Sequence, residues 1–444
     1  MAGIYTSPTL TDALAELGDS LADPTHVHWT AAELTLYIQQ ALRTYNALTN
    51  HFRDEATFQS ASPEAFYDLP TVLPTLRAQD YTVTEAVNQL CYHLLETIPS
   101  GGLWTGTDQY SLEDVLSALQ QARDAFLFET GIVQTHATLL VDPFPTRGVV
   151  DLDEAIINLR RLGWGTDDGI VTILRRDDQW GLANYRQNWQ TASSRPPKAY
   201  SVSAQPPLKV QLAPLSTVAG TLNMLTVNRG SVPSLADPTQ SLGVPNDWAW
   251  VVLFGALGKL FQRDGLAFDP LRAEYCIQRY EHGVKMARAA AVVLSAQIEE
   301  QQVTLSSVAD ADFYSASWPL VPAIPKKVLT AGHTVVALCP PPGVPPGGGD
   351  FDVLLQVVRN APVPTVGADV IQIGAELIGD ILDYAQHLAL LKEGAAQIQA
   401  GKSLLDNFMS LCGTTVAIQS ASQPEEKAAA GQTPQDAAIV AYRN

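Results

Sequence analysis

The chain has 444 residues, with 46 acidic against 27 basic side chains and a formal charge of −19. This length predicts two or three domains around a large buried core, and the acidic surplus excludes broad wrapping of nucleic acid, which depends on clustered Lys and Arg. Cys91, Cys276, Cys339 and Cys412 stand far apart in sequence, which predicts buried thiols in a reducing compartment rather than a disulfide framework or a zinc site.

The N-terminus, Met-Ala-Gly-Ile-Tyr-Thr-Ser-Pro, has neither a basic n-region nor an apolar h-region, and no window approaches the length of apolar chain that crosses a bilayer. Neither a signal peptide nor a membrane span is expected. Four helix starts then repeat one device. Thr30-x-x-Glu33, Thr82-x-x-Glu85, Ser111-x-x-Asp114 and Asp151-x-x-Glu154 each place a capping oxygen three residues ahead of an acid. Trp29 with Leu34, and Tyr110 with Val115, add hydrophobic staples. The predicted helices run over 31–50, 83–96, 112–128 and 152–162, the last stopped by Gly163, so residues 1–130 read as an N-terminal helical region.

From Ile132 to Val141 the pattern becomes β-branched and apolar, a strand signal, with further strands predicted at 170–174, 199–203, 207–213 and 221–228. Loops are expected at 193–197 and 230–245, and 131–243 reads as a β-rich insert with one helix. Residues 244–300 read as a central helical hairpin. Trp250, Phe254, Leu257 and Phe261 recur every three or four positions, Gly265 lies past the helix end, and Asp269-Pro270 supplies an N-cap and a first helical residue. The second helix is expected to continue to Ile298, with Cys276, Tyr280, Gly283, Ala287, Leu294 and Ile298 on one stripe. Arg272, Glu274, Arg279, Glu281, Lys285 and Arg288 fall on the polar face.

Residues 301–364 form a Pro/Gly-rich arm in which Val335–Leu338 and Val353–Val358 flank a loop at 340–349. Two strands joined by a projecting loop, or a disordered linker, are the alternatives. Helical periodicity returns over 365–417, with Gly394 or Gly401 as a break, and 418–444 is small and polar, a flexible tail.

Chemistry-bearing motifs are sparse. His26-Val-His28 lacks a third metal ligand nearby in sequence. Gly163 to Gly169 lacks the glycine spacing and Lys-Ser/Thr ending of a phosphate loop and reads as a helix cap running into a turn. Asp167-Asp168 and Asp177-Asp178 are turn residues before they are a carboxylate pair. No catalytic residue, metal site or cofactor is expected. Trp250, Phe254 and Tyr280 are expected in the core. Trp248 and Tyr275, nearer the helix ends, are candidate subunit-interface aromatics. Arg279, Glu281 and Arg288 are candidate charged partners across that interface, or alternatively a solvated face.

The joint Asp269-Pro-Leu-Arg-Ala-Glu-Tyr275 with its continuation Arg279-Tyr-Glu-His-Gly283 resembles the C-terminal helical hairpin of head-to-tail adaptor (neck) proteins of tailed bacteriophages. Trp29 to Tyr45 is similar to the early helix of that family, with Leu17-Gly18-Asp19 in place of its preceding turn. The segments 207–214 and 220–227 are similar to its β insert. These pieces cover about a third of the chain. The resemblance implies an α+β fold with a mostly helical adaptor core of bundled hairpins and a β-rich insert, to which the order of elements adds a C-terminal helical extension. It implies a virion structural protein without enzymatic activity, made in the host cytoplasm and located at the neck. There it would form a homo-oligomeric ring, commonly a dodecamer, between the portal protein and a tail tube, nozzle or tail-completion protein. Genomic DNA would pass through the lumen without sequence-specific binding, and no membrane would be involved. Another neck, collar or baseplate subunit is the alternative, followed by an enzyme assembled from scattered residues.

Overall fold

The computed structural model describes residues 7–421 except 100–103, 105–108, 143–148, 167–170, 186–195, 204–206, 217, 266, 315–317, 320–321 and 345–349. The expectations for Asp167-Asp168, for most of the 193–197 loop, for the tip of the 340–349 loop and for the chain beyond Ala421 lie outside the described residues. Helices in chain order are α1 (Leu10–Ser20), α2 (Ala31–Thr49), the single turns α3 (Leu69–Val72) and α4 (Pro74–Arg77), α5 (Val83–Leu94) and α6 (Leu112–Thr130). They continue with α7 (Gln179–Tyr185), α8 (Ala249–Phe261), α9 (Pro270–Ala289), α10 (Val308–Tyr314), α11 (Ile378–Leu390), α12 (Ala395–Ala400) and α13 (Lys402–Ala421).

Three of the four starts read from capping chemistry are present, at Thr30, Thr82 and Ser111; the fourth, at Asp151, is not. Thr82 with Glu85 and Ser111 with Asp114 form reciprocal capping boxes, and so do Thr9 and Asp12 at α1. At α2 the Thr30 hydroxyl accepts from the Glu33 amide, but the Glu33 carboxylate turns inward to the Tyr37 hydroxyl at 2.9 Å and Lys392 Nζ at 3.1 Å. The Leu17-Gly18-Asp19 turn is corrected: those residues belong to α1. The chain reverses just beyond, where the Asp23 carboxylate accepts the amides of Val27, His28 and Trp29.

Strands are β1 (Arg53–Gln59), β2 (Phe66–Asp68), β3 (Thr135–Val141), β4 (Val149–Asp151), β5 (Ile156–Gly165), β6 (Val171–Ile173), β7 (Arg175–Arg176) and β8 (Ala199–Val202). After these come β9 (Lys209–Ala213), β10 (Gly220–Asn228), β11 (Val293–Ile298), β12 (Gln301–Ser307), β13 (Lys327–Ala331), β14 (Val335–Cys339) and β15 (Asp352–Val358). Seven form one curled sheet in the order β1-β15-β11-β12-β13-β14-β2. Phe58 on one edge strand and Tyr67 on the other bring their rings within 5.0 Å, so the sheet wraps around its own apolar interior of Val328, Val336, Leu338, Val353, Leu355 and Val357. The sheets β3-β10-β5-β6 and β4-β9-β8-β7 face one another over Leu159, Leu162, Trp164, Tyr200, Val210, Leu212 and Leu222, a β-sandwich.

The expected mostly helical core is therefore corrected. The fold is α+β, with 43% helix and 24% strand among the described residues, a seven-stranded curled sheet and two further sheets, each enclosing or covering apolar clusters apart from the helical one.

Two local expectations fail with it. Residues 152–162 do not form a helix. Asp153 caps a turn by accepting the Ala155 amide at 2.7 Å, and Ile156–Gly165 becomes β5 because β10 offers it a full cross-strand ladder. The second hairpin helix stops at Ala289, and Val293–Ile298 becomes β11, paired with β12 and β15. Val335–Cys339 and Asp352–Val358 are strands, but not partners. The former lies between β13 and β2 and the latter between β1 and β11. Among the described residues no helix is long and apolar enough to cross a membrane.

The central hairpin is the most heavily covered part of the helical layer. Nearly every residue of α8 is buried, between α6 on one side and α9 on the other. A Cβ on Gly283 would meet Val251 and Trp250 within 3 Å, and one on Gly258 would touch Ile277 at 3.0 Å, so glycine sets how closely α8 and α9 approach. The Asp269 side chain caps α9 through the Arg272 amide at 3.1 Å and pairs with the Arg272 guanidinium at 2.7 Å.

Candidate interaction surface on the central hairpin

The helix α9 buries Ala273, Cys276, Arg279, Gly283, Val284, Met286 and Ala287. The opposite face is left to solvent. Leu271, Glu274, Gln278, Glu281, Lys285 and Arg288 follow one another at spacings of three or four and are all exposed. Charge along this stripe is ordered: acids occupy its first half and bases its second, which complements the helix dipole. Leu271 at 65% exposure and Phe268 at 53% make its N-terminal end apolar.

Depressions flank the stripe. One, of about 590 Å³, is lined by Phe268, Pro270, Ala273, Glu274, Ile277 and Glu281. The other, of about 350 Å³, lies toward α12 and is lined by Leu271, Glu274, Tyr275, Gln278, Ala396 and Ile398. The surface is thus a charged ridge between two shallow grooves, a shape suited to recognition of another protein rather than to enclosure of a substrate.

The five candidate interface residues separate on burial. Glu281 and Arg288 lie on the ridge. The Arg288 Nε donates to the Glu129 carbonyl at 2.9 Å, which ties the basic end of the ridge to α6. Tyr275 is half-buried at the groove wall, with its hydroxyl 2.6 Å from His387 Nε2. The His387 Nδ1 lies 3.0 Å from the Gly401 carbonyl, which can only accept. Nδ1 therefore carries the proton, and Nε2 accepts from Tyr275.

Trp248 and Arg279 are corrected: at 3% and 4% exposure they lie inside the chain. Trp248 stacks beside Trp250 and meets the tilted ring of His333. The Arg279 guanidinium sits 5.3 Å from the Trp250 ring and 5.7 Å from the Tyr384 ring. The polar face read from sequence was too wide because α11 covers its Arg279 edge, a tertiary contact that periodicity does not reveal. Phe268 and Leu271 were missed. Their signal was two large apolar residues flanking a helix start on the solvent side.

Other motifs take structural roles. His28 Nε2 contacts Glu393. Asp178 precedes α7 and accepts the Gly181 amide, while Asp177 pairs with Arg175 at 2.7 Å. Among the described residues no group of three His, Cys, Asp or Glu side chains is placed to hold a metal ion. The four cysteines are free thiols, and burial pushes the Cys91 thiol up to about 12.

No family model matches the chain, and no curated protein matches it.

Proposed function

We propose that the protein is a head-to-tail adaptor of a tailed bacteriophage, assembling as a ring between portal and tail with the genome passing through its lumen. The observation that carries this reading is the α9 ridge. It is exposed along the whole helix, apolar at one end, acidic in the middle and basic at the other end, so copies displaced along it can set the acids of one against the bases of the next. When the ridge of one copy seats against a different face of the next, the contact is head-to-tail and generates a closed ring if its rotation closes. The resemblance of the Asp269 to Gly283 and Trp29 to Tyr45 segments to adaptor helices supports the same reading, and it implies a dodecamer seated on the portal. The net charge of −19 disfavours adhesion of DNA to a lumen that acidic side chains line.

Sedimentation of the purified chain with purified rings of the portal protein from the same phage tests this. A stoichiometric complex that remains closed at physiological salt is expected. Failure of the folded chain to associate with the portal ring at micromolar concentrations contradicts the proposal.

A further inference from the structure

A third cavity, of about 580 Å³, lies between the β-sandwich and the curled sheet; no residue of the α9 ridge lines it, although Arg288 at the ridge's basic end comes near its Arg160. Arg160 and Arg161 reach it from β5, Arg176 from β7, and Asp312 from α10. These four are the charged residues of its lining, so three cations against one carboxylate leave a surplus of two positive charges in a strongly acidic protein.

The centre of this cluster is built rather than incidental. Arg161 is 5% exposed, and its Nε donates to Asp312 Oδ2 at 2.7 Å. Trp318 Nε1 holds the other Asp312 oxygen at 2.8 Å. The Arg161 guanidinium carbon lies 5.3 Å from the Phe66 ring and 5.5 Å from the Trp318 ring, and its Nη2 is buried without a hydrogen-bond partner. Such an orphaned donor on a buried cation is costly unless an acceptor reaches it. Arg160 packs its guanidinium against Gly131, where a Cβ would collide with it. Burial and the nearby charges of Arg176 and Arg288 hold its proton affinity below the usual arginine range. The cluster is therefore cation-rich in its unliganded form, a condition that a bound anion relieves.

We propose that this cavity binds a dianionic oxyanion, in its simplest form a phosphate group, between Arg160, Arg161 and Arg176. Guanidinium forks match the paired oxygens of such a group, and two negative charges balance the surplus of the lining. The volume falls in the range of small-molecule sites, so a phosphomonoester fits the same chemistry as free phosphate. This inference does not depend on the ring assignment.

Titration calorimetry of the full chain with inorganic phosphate, and separately with ribose 5-phosphate, at constant ionic strength tests it. Saturable binding of one equivalent is expected for at least one of them. The tighter of the two identifies the occupant as free phosphate or phosphomonoester. The Arg160→Ala/Arg176→Ala double variant, which changes side chains at the cavity rim and whose fold is checked by circular dichroism, should lose at least tenfold in affinity. Arg175→Ala, on the same strand as Arg176 but paired with Asp177, should bind as the parent does. Absence of saturable binding by either ligand, equal loss in Arg175→Ala, or equal affinity for acetate overturns the proposal.

Discussion

Arg279 Nη2 donates to the Tyr384 hydroxyl at 3.0 Å, joining α9 to α11 inside the helical layer. The C-terminal helices are therefore not an appendage. They close one face of the central hairpin, and they leave the α9 ridge, with the joint between α8 and α9, in contact with solvent. Replacing Arg279 by Ala removes this hydrogen bond and the guanidinium packing on Trp250. A loss of about 1.5–3 kcal/mol is expected from chemical denaturation, the scale of hydrogen bonds to charged groups. A change below about 0.5 kcal/mol would mean that α11 does not depend on Arg279 for its seat.

Glu281 and Arg288 lie on the same helix as Arg279 but face solvent. Glu281→Lys should change the stability of the isolated chain by no more than about 0.5 kcal/mol, as for most surface substitutions, whereas Arg288→Glu also loses the bond to the Glu129 carbonyl and should cost about 1–2 kcal/mol. Each should weaken self-association, and raised salt should weaken the parent in the same direction. Sedimentation velocity across a salt series reads both. Assembly indifferent to both reversals would remove the ridge from the interface.

Gly283 sits where α9 crosses Val251 and Trp250 of α8. A methyl group there cannot be accommodated without pushing the helices apart, so Gly283→Ala should destabilise by about 1–3 kcal/mol despite the better helix propensity of alanine. Gly379 is helical with nothing within 4 Å of an added Cβ. Gly379→Ala should be neutral or stabilising by a few tenths of a kcal/mol to about 1 kcal/mol. Thermal unfolding of the pair separates close packing from propensity, and equal effects in both would contradict the packing argument.

Histidine burial sets the acid limit of stability. Desolvation, with Arg272 and Lys392 nearby, lowers His93 to about 3. Desolvation with Arg77 lowers His333 to about 3, and desolvation with Arg279 lowers His387 to about 4. In the unfolded chain these groups take up protons near pH 6.5. The unfolded state therefore binds protons first on acidification, and stability present above about pH 6.5 is lost as pH falls toward 4. Asp247 acts in the opposite sense. Burial raises it to about 6 from 3.8, so its contribution is greatest below 3.8 and is lost as pH rises through 6. With His136 and His282 lowered likewise, to about 4 and about 3, the histidines outweigh Asp247, so Tm should fall between pH 6.5 and 4, and His387→Gln should flatten the slope. A Tm that rises over that interval would show that the histidines are not buried as described.

Much of the helical layer was legible from local chemistry. The capping pairs Thr82–Glu85 and Ser111–Asp114 and the Asp269-Pro270 joint need only neighbours within one turn, and each starts a helix as read. The strands at 199–202, 209–213 and 220–228 were equally visible in β-branched runs. What escaped depends on partners distant in sequence. Ile156, Leu159 and Leu162 suit a helical stripe as well as a strand, and the ladder to β10, more than fifty residues later, decides between them. Likewise Val293–Ile298 continues an apolar helical pattern until β15 supplies its hydrogen bonds. On the candidate surface, Glu281 and Arg288 could be read as exposed from their spacing alone. The burial of Arg279 follows from Tyr384, 105 residues away.

The proposed adaptor assignment meets its most direct test in electron cryomicroscopy of the neck of tailed-phage particles assembled with this chain. The chain is expected there as a closed ring with cyclic symmetry, coaxial with the DNA channel, with the α9 ridge at the contact between neighbouring copies. Finding the chain on the capsid shell, at the distal tail tip, or nowhere in the particle would contradict it.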